Sequence, residues 1–290
     1  MDEAHRLNHR ANQPAGPLNA LFPRINEKLF GRDDDAFTQL DWVIEQSRHQ
    51  LLLIDGEQSV RPSDLPATVV RTVVNDATNG HQFYRLHSQL RVKAGDDYTA
   101  YVRSVLRGDK PDPRAFDGYD LRYFDDLAQM RELVRARDAE AGLSRLVAGY
   151  AWKWKSRKTP DAYDIELDGV ALRWNRTQTD WINSPGSLDE VGSIHTVQGY
   201  DLNYAGVIIG PDLRYSPDRG IWFDRSSYFD KKGMEDNRKR GIRYTDDDIL
   251  GYVKNIYGVL LTRGIRGTYV YVCDDALRDY LKRYFDNDRR

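Results

Sequence analysis

One cysteine, Cys273, stands among 290 residues, so no disulfide framework is available and a reducing compartment suits the chain. Neither charge sign dominates, since 43 Lys and Arg face 45 Asp and Glu for a formal charge of -2. A near-neutral total neither signals nor excludes nucleic acid; only a local basic face would signal it. No apolar run approaches the length of a membrane span, the first residues lack a secretory signal pattern, and no internal repeat recurs. A single cysteine also excludes a zinc ribbon, and the His5/His9 pair lacks the glutamate of a zinc-protease motif. Present instead are 40% hydrophobic and 11% aromatic residues, enough to build a core. The length fits two modest α/β domains or one large one, and the composition is that of a cytoplasmic protein.

Periodicity then organises the chain. Leu18, Leu21, Phe22, Ile25 and Leu29 recur at helical spacing, and Asp33, Asp34 and Asp35 offer N-caps for a helix over AFTQLDWVIEQSR. QLLLIDGEQ reads as a buried parallel strand with a polar exit loop. TVVRTVVND fits helix or strand, and HQFYRLHSQLR reads as a strand. DDYTAYVRSVLRG is helical, with Tyr98, Tyr101, Val102, Val105 and Leu106 on one side. FDDLAQMRELVRARDAEAG is a helix with an Asp cap and a terminal Gly. SRLVAGYAWKW reads as a strand, and DAYDIELDGVALRWN as a hairpin turning at Asp168-Gly169. GSIHTVQGYDLNYAGVIIGPDLRY places a polar loop between two strands. A charge-dense surface loop follows, then a helix through DDDILGYVKNIYGVLLTRG, a strand at TYVYVCDD and a closing amphipathic helix. A domain boundary is expected between residues 80 and 115, around RGDKPDPRAFDGYD.

Five short motifs follow one another: DEAH at the start, then LLLIDGEQS, LHSQLR, IHTVQGYDL and VLLTRGIRG. Each alone is weak. In this order they resemble the superfamily one helicases from the second motif to the sixth. The phrases VAGYAWKW, DIELDGVALRWN, GSIHTVQGYDLNYAGVIIGPDL and NIYGVLLTRGIRGTYVYV are similar to the Schlafen group 3-like DNA/RNA helicase domain family. The resemblance runs from Asp2 to about Asp274.

That resemblance implies an α/β, RecA-like P-loop NTPase fold with mostly parallel sheets and flanking helices. Residues 1–80 would form an incomplete first lobe with the DEAH and DGEQ motifs. Residues 81–290 would form a second lobe, with a β-hairpin near 164–174 and a charged insertion near 215–248. It further implies ATP and Mg²⁺ as cofactors, DNA or RNA as partner, and ATP hydrolysis as the activity. Asp2 would hold the metal, and Glu3 would orient or deprotonate the attacking water. His5 would couple that site to Gln58, the amide that reports the γ-phosphate. Arg91 and Arg263 would stabilise the transferring phosphoryl group, and Asp201 would accept from the ribose. Family members carry an acidic residue directly after the glycine of that loop; here Tyr200 intervenes before Asp201. Thr196 and Gln198 would touch the nucleic-acid backbone.

Plainer readings stand beside these roles. Asp2 and Glu3 also fit an exposed acidic terminus, Gln58 a polar turn, Arg91 a surface arginine and Arg263 a helix-end cation. Trp152 and Lys153, in AWKWK, suit base stacking beside a phosphate, but alternation equally places Trp152 and Trp154 together in a core. The cations Lys231, Lys232, Arg238, Lys239 and Arg240 lie among Asp230, Glu235 and Asp236, which favours a solvated loop. A GxxxxGK[ST] phosphate loop occurs nowhere in the sequence. The expectation is therefore the C-terminal part of a longer ATPase, unable to hydrolyse ATP alone, whose P-loop comes from an upstream segment or a separate chain. The alternatives are an ATP-independent nucleic-acid-binding module and an inactive remnant.

Overall fold

The computed structural model describes residues 1–10, 13, 16–86, 91–177, 179–197, 199–238 and 241–286. Two compact units form along the chain: Met1–Leu86 with Asp230–Asn255, and His87–Phe229 with Ile256–Arg290.

The first unit begins with three helices, α1 (Gly16–Phe30), α2 (Gln39–Glu45) and α3 (Ala67–Asn79). Thr38, and not the acidic run before it, caps α2: Thr38 and Asp41 exchange side-chain and backbone hydrogen bonds in a capping box. Asp33 is engaged elsewhere, accepting three bonds from buried Arg10 (2.9, 3.2 and 2.7 Å) and one from Asn26. The segment TVVRTVVND is helical because Val69, Val70 and Val73 share a side that packs on Ala4, Leu7, Leu40 and Leu65.

The strand expected at LLLID does not form a sheet. Residues 51–53 take only a short ladder from the first residues: the Met1 ammonium donates to Leu51 O (2.7 Å), Leu53 N–H to Met1 O (3.0 Å) and Ala4 N–H to Leu53 O (2.8 Å). Leu52 and Ile54 face the core while Leu51 and Leu53 stay 75% and 43% exposed. A central parallel strand needs partners on both edges and cover on both faces, and this one has neither. Residues 81–86 likewise form no strand and are exposed, and residues 87–90 of that expected strand lie outside the described residues.

Residues 230–255 return to this unit and bury polar groups there. The Asn237 amide meets His9 Nδ1 at 3.2 Å, Tyr244 donates to Pro62 O, Asp230 pairs with Arg61, and Asn255 donates to Ser59 O at 2.8 Å.

The second unit holds every strand assigned among the described residues. Its elements are α4 (Gly95–Arg107), β1 (Asp120–Tyr123), α5 (Leu127–Ala141), β2 (Ser144–Ala148), β3 (Ile165–Leu167), β4 (Val170–Trp174), β5 (Glu190–Ser193), α6 (Ile194–Val197) and β6 (Leu202–Ile209). Then come β7 (Leu213–Ser216), β8 (Gly220–Phe223), α7 (Asp246–Leu261), β9 (Gly264–Val272) and α8 (Asp275–Phe285). The chain passes into this unit for the last time within α7, after Asn255.

Seven strands form one sheet in the order β1-β9-β6-β2-β5-β4-β3, parallel throughout except where β3 meets β4. This α/β, mainly parallel sheet flanked by helices is consistent with a RecA-like fold. Parallel strands must be apolar on both faces, and LVA, GVII and YVYV supply that. The five α4 residues placed on one side by their spacing are all buried. Asp126 caps α5 through the Ala128 and Gln129 amides, and Gly142 ends it. Asp168 and Gly169 turn the β3–β4 hairpin with φ of 49° and 76°, the left-handed pair such a turn requires. A second hairpin, β7–β8, forms its own two-stranded ribbon.

Candidate functional site

In the first unit, the DEAH residues and the DGEQ loop meet through His5, which hydrogen-bonds the loop and stands close to Glu3. A 3₁₀ turn, Ala4–Arg6, follows Glu3, whose backbone is left-handed at φ 52°. That conformation costs an ordinary residue about 1 kcal/mol, and here it brings the Glu3 carboxylate back over the turn. Glu3 Oε2 lies 3.3 Å from Nε2 of His5, a ring only 2% exposed. The opposite ring nitrogen, Nδ1, accepts from the Asp55 N–H at 3.1 Å. An accepting Nδ1 places the proton of the neutral ring on Nε2, facing Glu3. The Asp55 carboxylate accepts from the Gln58 amide (2.9 Å) and from the Glu57 N–H (3.0 Å), while Gln58 N–H donates to Asp55 O (3.1 Å). Glu3, His5, Asp55 and Gln58 are thus linked side by side. Asp55 was missed in the sequence reading, although the Asx turn implicit in an Asp-Gly-Glu-Gln run was its signal.

Asp2 is exposed, and one of its oxygens accepts from the Glu3 N–H at 2.9 Å. Among the described residues no group of three or more His, Cys, Asp or Glu side chains could hold a metal ion. A closed protein cage is therefore not present there. A magnesium ion carried by phosphates, keeping its waters and taking one carboxylate, fits Asp2. The GxxxxGK[ST] spacing that would cradle the phosphates does not occur in the sequence.

In the second unit, Arg91, Asp201 and Arg263 gather around one loop. The Arg91 guanidinium forms an ion pair with the half-exposed Asp201 carboxylate. Arg263 is 2% exposed, and its NH1 donates to Tyr200 O at 3.3 Å. The backbone around Arg263 is fixed from several sides. Leu202 N–H donates to Arg263 O, Tyr98 and Thr268 both donate to Leu261 O, and Tyr119 donates to Gly264 O. Gly264 is obligatory at this bend, because a Cβ there would lie 2.0 Å from Gly267 O.

Thr196 is buried, and its hydroxyl is held by Ser193 and by Asn175 Oδ1 at 3.1 Å, so it ties β5 to the loop after β4. Gln198 lies outside the described residues, as do Lys239 and Arg240. Trp152 is half-buried against the main core and lies 6.2 Å from Trp174. Lys153 is exposed, its ammonium 5.7 Å from the Phe229 ring. Lys232 pairs with Glu235 at 2.5 Å, while Lys231 and Arg238 are exposed.

One further polar group sits just beyond the end of β6. Asp212 is fully buried, accepts from Tyr257 OH at 2.6 Å, and has its carboxyl pushed up to about 7, chiefly by burial. Tyr257 OH also accepts the Gly210 N–H at 2.9 Å. Gly210 has no room for a side chain, since a Cβ would stand 2.2 Å from that of Ala151. No helix among the described residues is long and apolar enough to cross a membrane.

No solved structure matches the chain. An uncharacterized protein of Saccharomyces cerevisiae is 31% identical over 221 residues, covering 69% of this chain and 48% of that protein. The chain thus spans about half the length of this relative. The family model described as Schlafen group 3, DNA/RNA helicase domain, matches residues 1–274, and with nearly the whole length covered the chain belongs to that family.

Proposed function

We propose that this helicase-family domain is the C-terminal part of a superfamily one-like, ATP-dependent DNA or RNA helicase or translocase. On this reading its residues handle the γ-phosphate end of a nucleotide whose phosphates are cradled by polypeptide outside the 290 residues. The observation that carries the reading is the continuous contact from Glu3 through His5 and Asp55 to Gln58. Two motifs 50 residues apart in sequence are joined there by a buried, single-tautomer imidazole.

ATP with Mg²⁺ would supply the phosphoryl group and the divalent charge. Asp2 offers the metal an exposed carboxylate. Glu3 stands as the base or orienting group for water, with its Oε2 3.3 Å from His5 Nε2. Gln58, held by Asp55, presents an amide that responds to a phosphate by rotating its donor and acceptor. Arg91 and Arg263 supply guanidinium charge around the Tyr200–Asp201 loop, and Asp201 offers an acceptor for a ribose hydroxyl. Arg91 already pairs with Asp201, so nucleotide engagement by either residue exchanges that ion pair for a ligand contact. Trp152, Lys153 and Gln198 would meet nucleic acid, and Thr196, buried with its hydroxyl held by Ser193 and Asn175, would position that loop.

Because phosphate affinity in such enzymes rests on the missing loop, the purified chain is expected to show no ATP turnover above background, with or without single-stranded nucleic acid. Measurable turnover that Arg263→Ala abolishes would overturn the claim that the cradle lies elsewhere.

A further inference from the structure

The run WKWKSRKTP, residues 152–160, contains four cations and no carboxylate, in a chain whose overall charge is balanced. Its structure is a built turn. Lys158 and Thr159 both donate backbone N–H to Lys155 O at 3.1 Å, and Lys155 N–H donates to Lys153 O at 3.0 Å. The centre of the turn is anchored by Asp164, a carboxylate only 3% exposed. Asp164 accepts from Ser156 N–H (2.8 Å), Ser156 Oγ (2.5 Å) and Trp174 N–H (2.8 Å), tying the turn to the first residues of the hairpin and to β4. Trp154 is half-buried beneath it, with the Arg157 guanidinium 5.8 Å from its ring. Lys153, Lys155, Arg157 and Lys158 are exposed.

Beside the turn, Tyr163 is 41% exposed and carries Arg173 over its ring at 4.2 Å. Arg173 is itself locked by donating to Ala162 O and Asp161 O. The Glu166 carboxylate lies 3.4 Å from the Lys155 ammonium.

We propose that this turn, residues 153–158 with Tyr163, is a contact site for single-stranded nucleic acid, its cations following the phosphates and the tyrosine ring accepting a base. The inference rests on the nucleic-acid reading above and names the surface and strandedness that reading leaves open. Clustered cations on an anchored turn release counterions on meeting a phosphate chain, and an exposed aromatic stacks any base without reading its edge. Flat aromatic stacking argues for a single strand, because bases in a duplex are already stacked. Nothing in the turn distinguishes sugars, so DNA and RNA strands are expected to bind alike.

The test is fluorescence anisotropy of labelled oligo(dT) and oligo(U), measured over a salt series with the full chain. It compares wild type, Lys155→Ala/Arg157→Ala/Lys158→Ala, Tyr163→Ala, and a charge-matched control, Arg107→Ala/Lys110→Ala/Arg114→Ala, with thermal melts confirming folding. The proposal expects both strands to bind, and the turn variant to lower the slope of log affinity against log salt by about 2. Tyr163→Ala should weaken binding at unchanged slope, and the control should behave as wild type. Wild-type binding that the turn variant leaves intact would overturn this site and spare the nucleic-acid reading. Wild type binding neither strand would overturn both. Equal competition by poly-glutamate would overturn it in favour of an acidic protein partner.

Discussion

At the scale of single residues, two buried side chains make sharp predictions. Asp212 has a carboxyl raised to about 7 by burial, against an unfolded value of about 3.9. Both states are protonated well below pH 4, so the full contribution to stability is present there. It is lost as pH climbs through the folded value, because only the unfolded carboxylate ionises freely. Urea melts should therefore show wild type losing up to about 4 kcal/mol between pH 4 and 7 from this group, a slope that Asp212→Asn removes. An unchanged slope in the variant would show that Asp212 does not titrate in this window.

His5 is the second case. Its ring, 2% exposed, serves Asp55 N–H on one side and faces Glu3 on the other. His5→Phe keeps the bulk but orphans the Asp55 donor, and is expected to cost about 1–3 kcal/mol in a denaturant melt. His5→Asn, which retains an acceptor, should recover part of that loss. Burial also pushes the Cys273 thiol up, so labelling by thiol reagents should be slow in the native protein and fast in urea.

At the scale of elements, local chemistry dictates some features and neighbours dictate others. Asp126 caps α5 by accepting from two amides of its first turn, and Asp126→Ala should lower stability by about 1 kcal/mol without altering the sheet. Gly264→Ala should do far more damage, since its Cβ meets a backbone oxygen and the bend places Arg263. Circular dichroism and a melt distinguish the two outcomes.

These same elements explain what could be read from the sequence. The α5 cap, the one-sided apolar stripe of α4 and the Asp168-Gly169 turn are decided within a few residues, and all three appeared as expected. LLLID and HQFYRL failed as strands because a short apolar run becomes a strand only when another strand pairs with it, and neither run joins a sheet. The capping of α2 by Thr38 was obscured by the acidic run upstream, where Asp33 was already committed to Arg10 and Asn26. Asp55 went unnoticed because its importance comes from His5, 50 residues away.

At the scale of the whole molecule, the residues proposed to handle a nucleotide are divided between the two units. The first holds the Glu3–Gln58 chain, built on a small core of Ala4, Leu7, Leu40 and Leu65. The second holds the arginine pair at the head of β6 and β9 in a large parallel sheet. Asn237 meets His9 across 228 residues of sequence, so the first unit is completed by chain that returns to it at Asp230–Asn255. Such long-range closure could not be inferred from local pattern, because the segment that provides it is dense in charge and poor in aliphatic residues.

The most direct measurement is binding of a fluorescent ATP analogue with Mg²⁺, made on the chain alone and on the chain with a strand–GxxxxGK[ST]–helix segment of a family member fused ahead of Met1. The account predicts negligible saturation for the chain alone, and saturable binding for the fusion that weakens on Gln58→Ala and on Arg263→Ala. Tight binding by the chain alone, or binding by the fusion that ignores both substitutions, would contradict it.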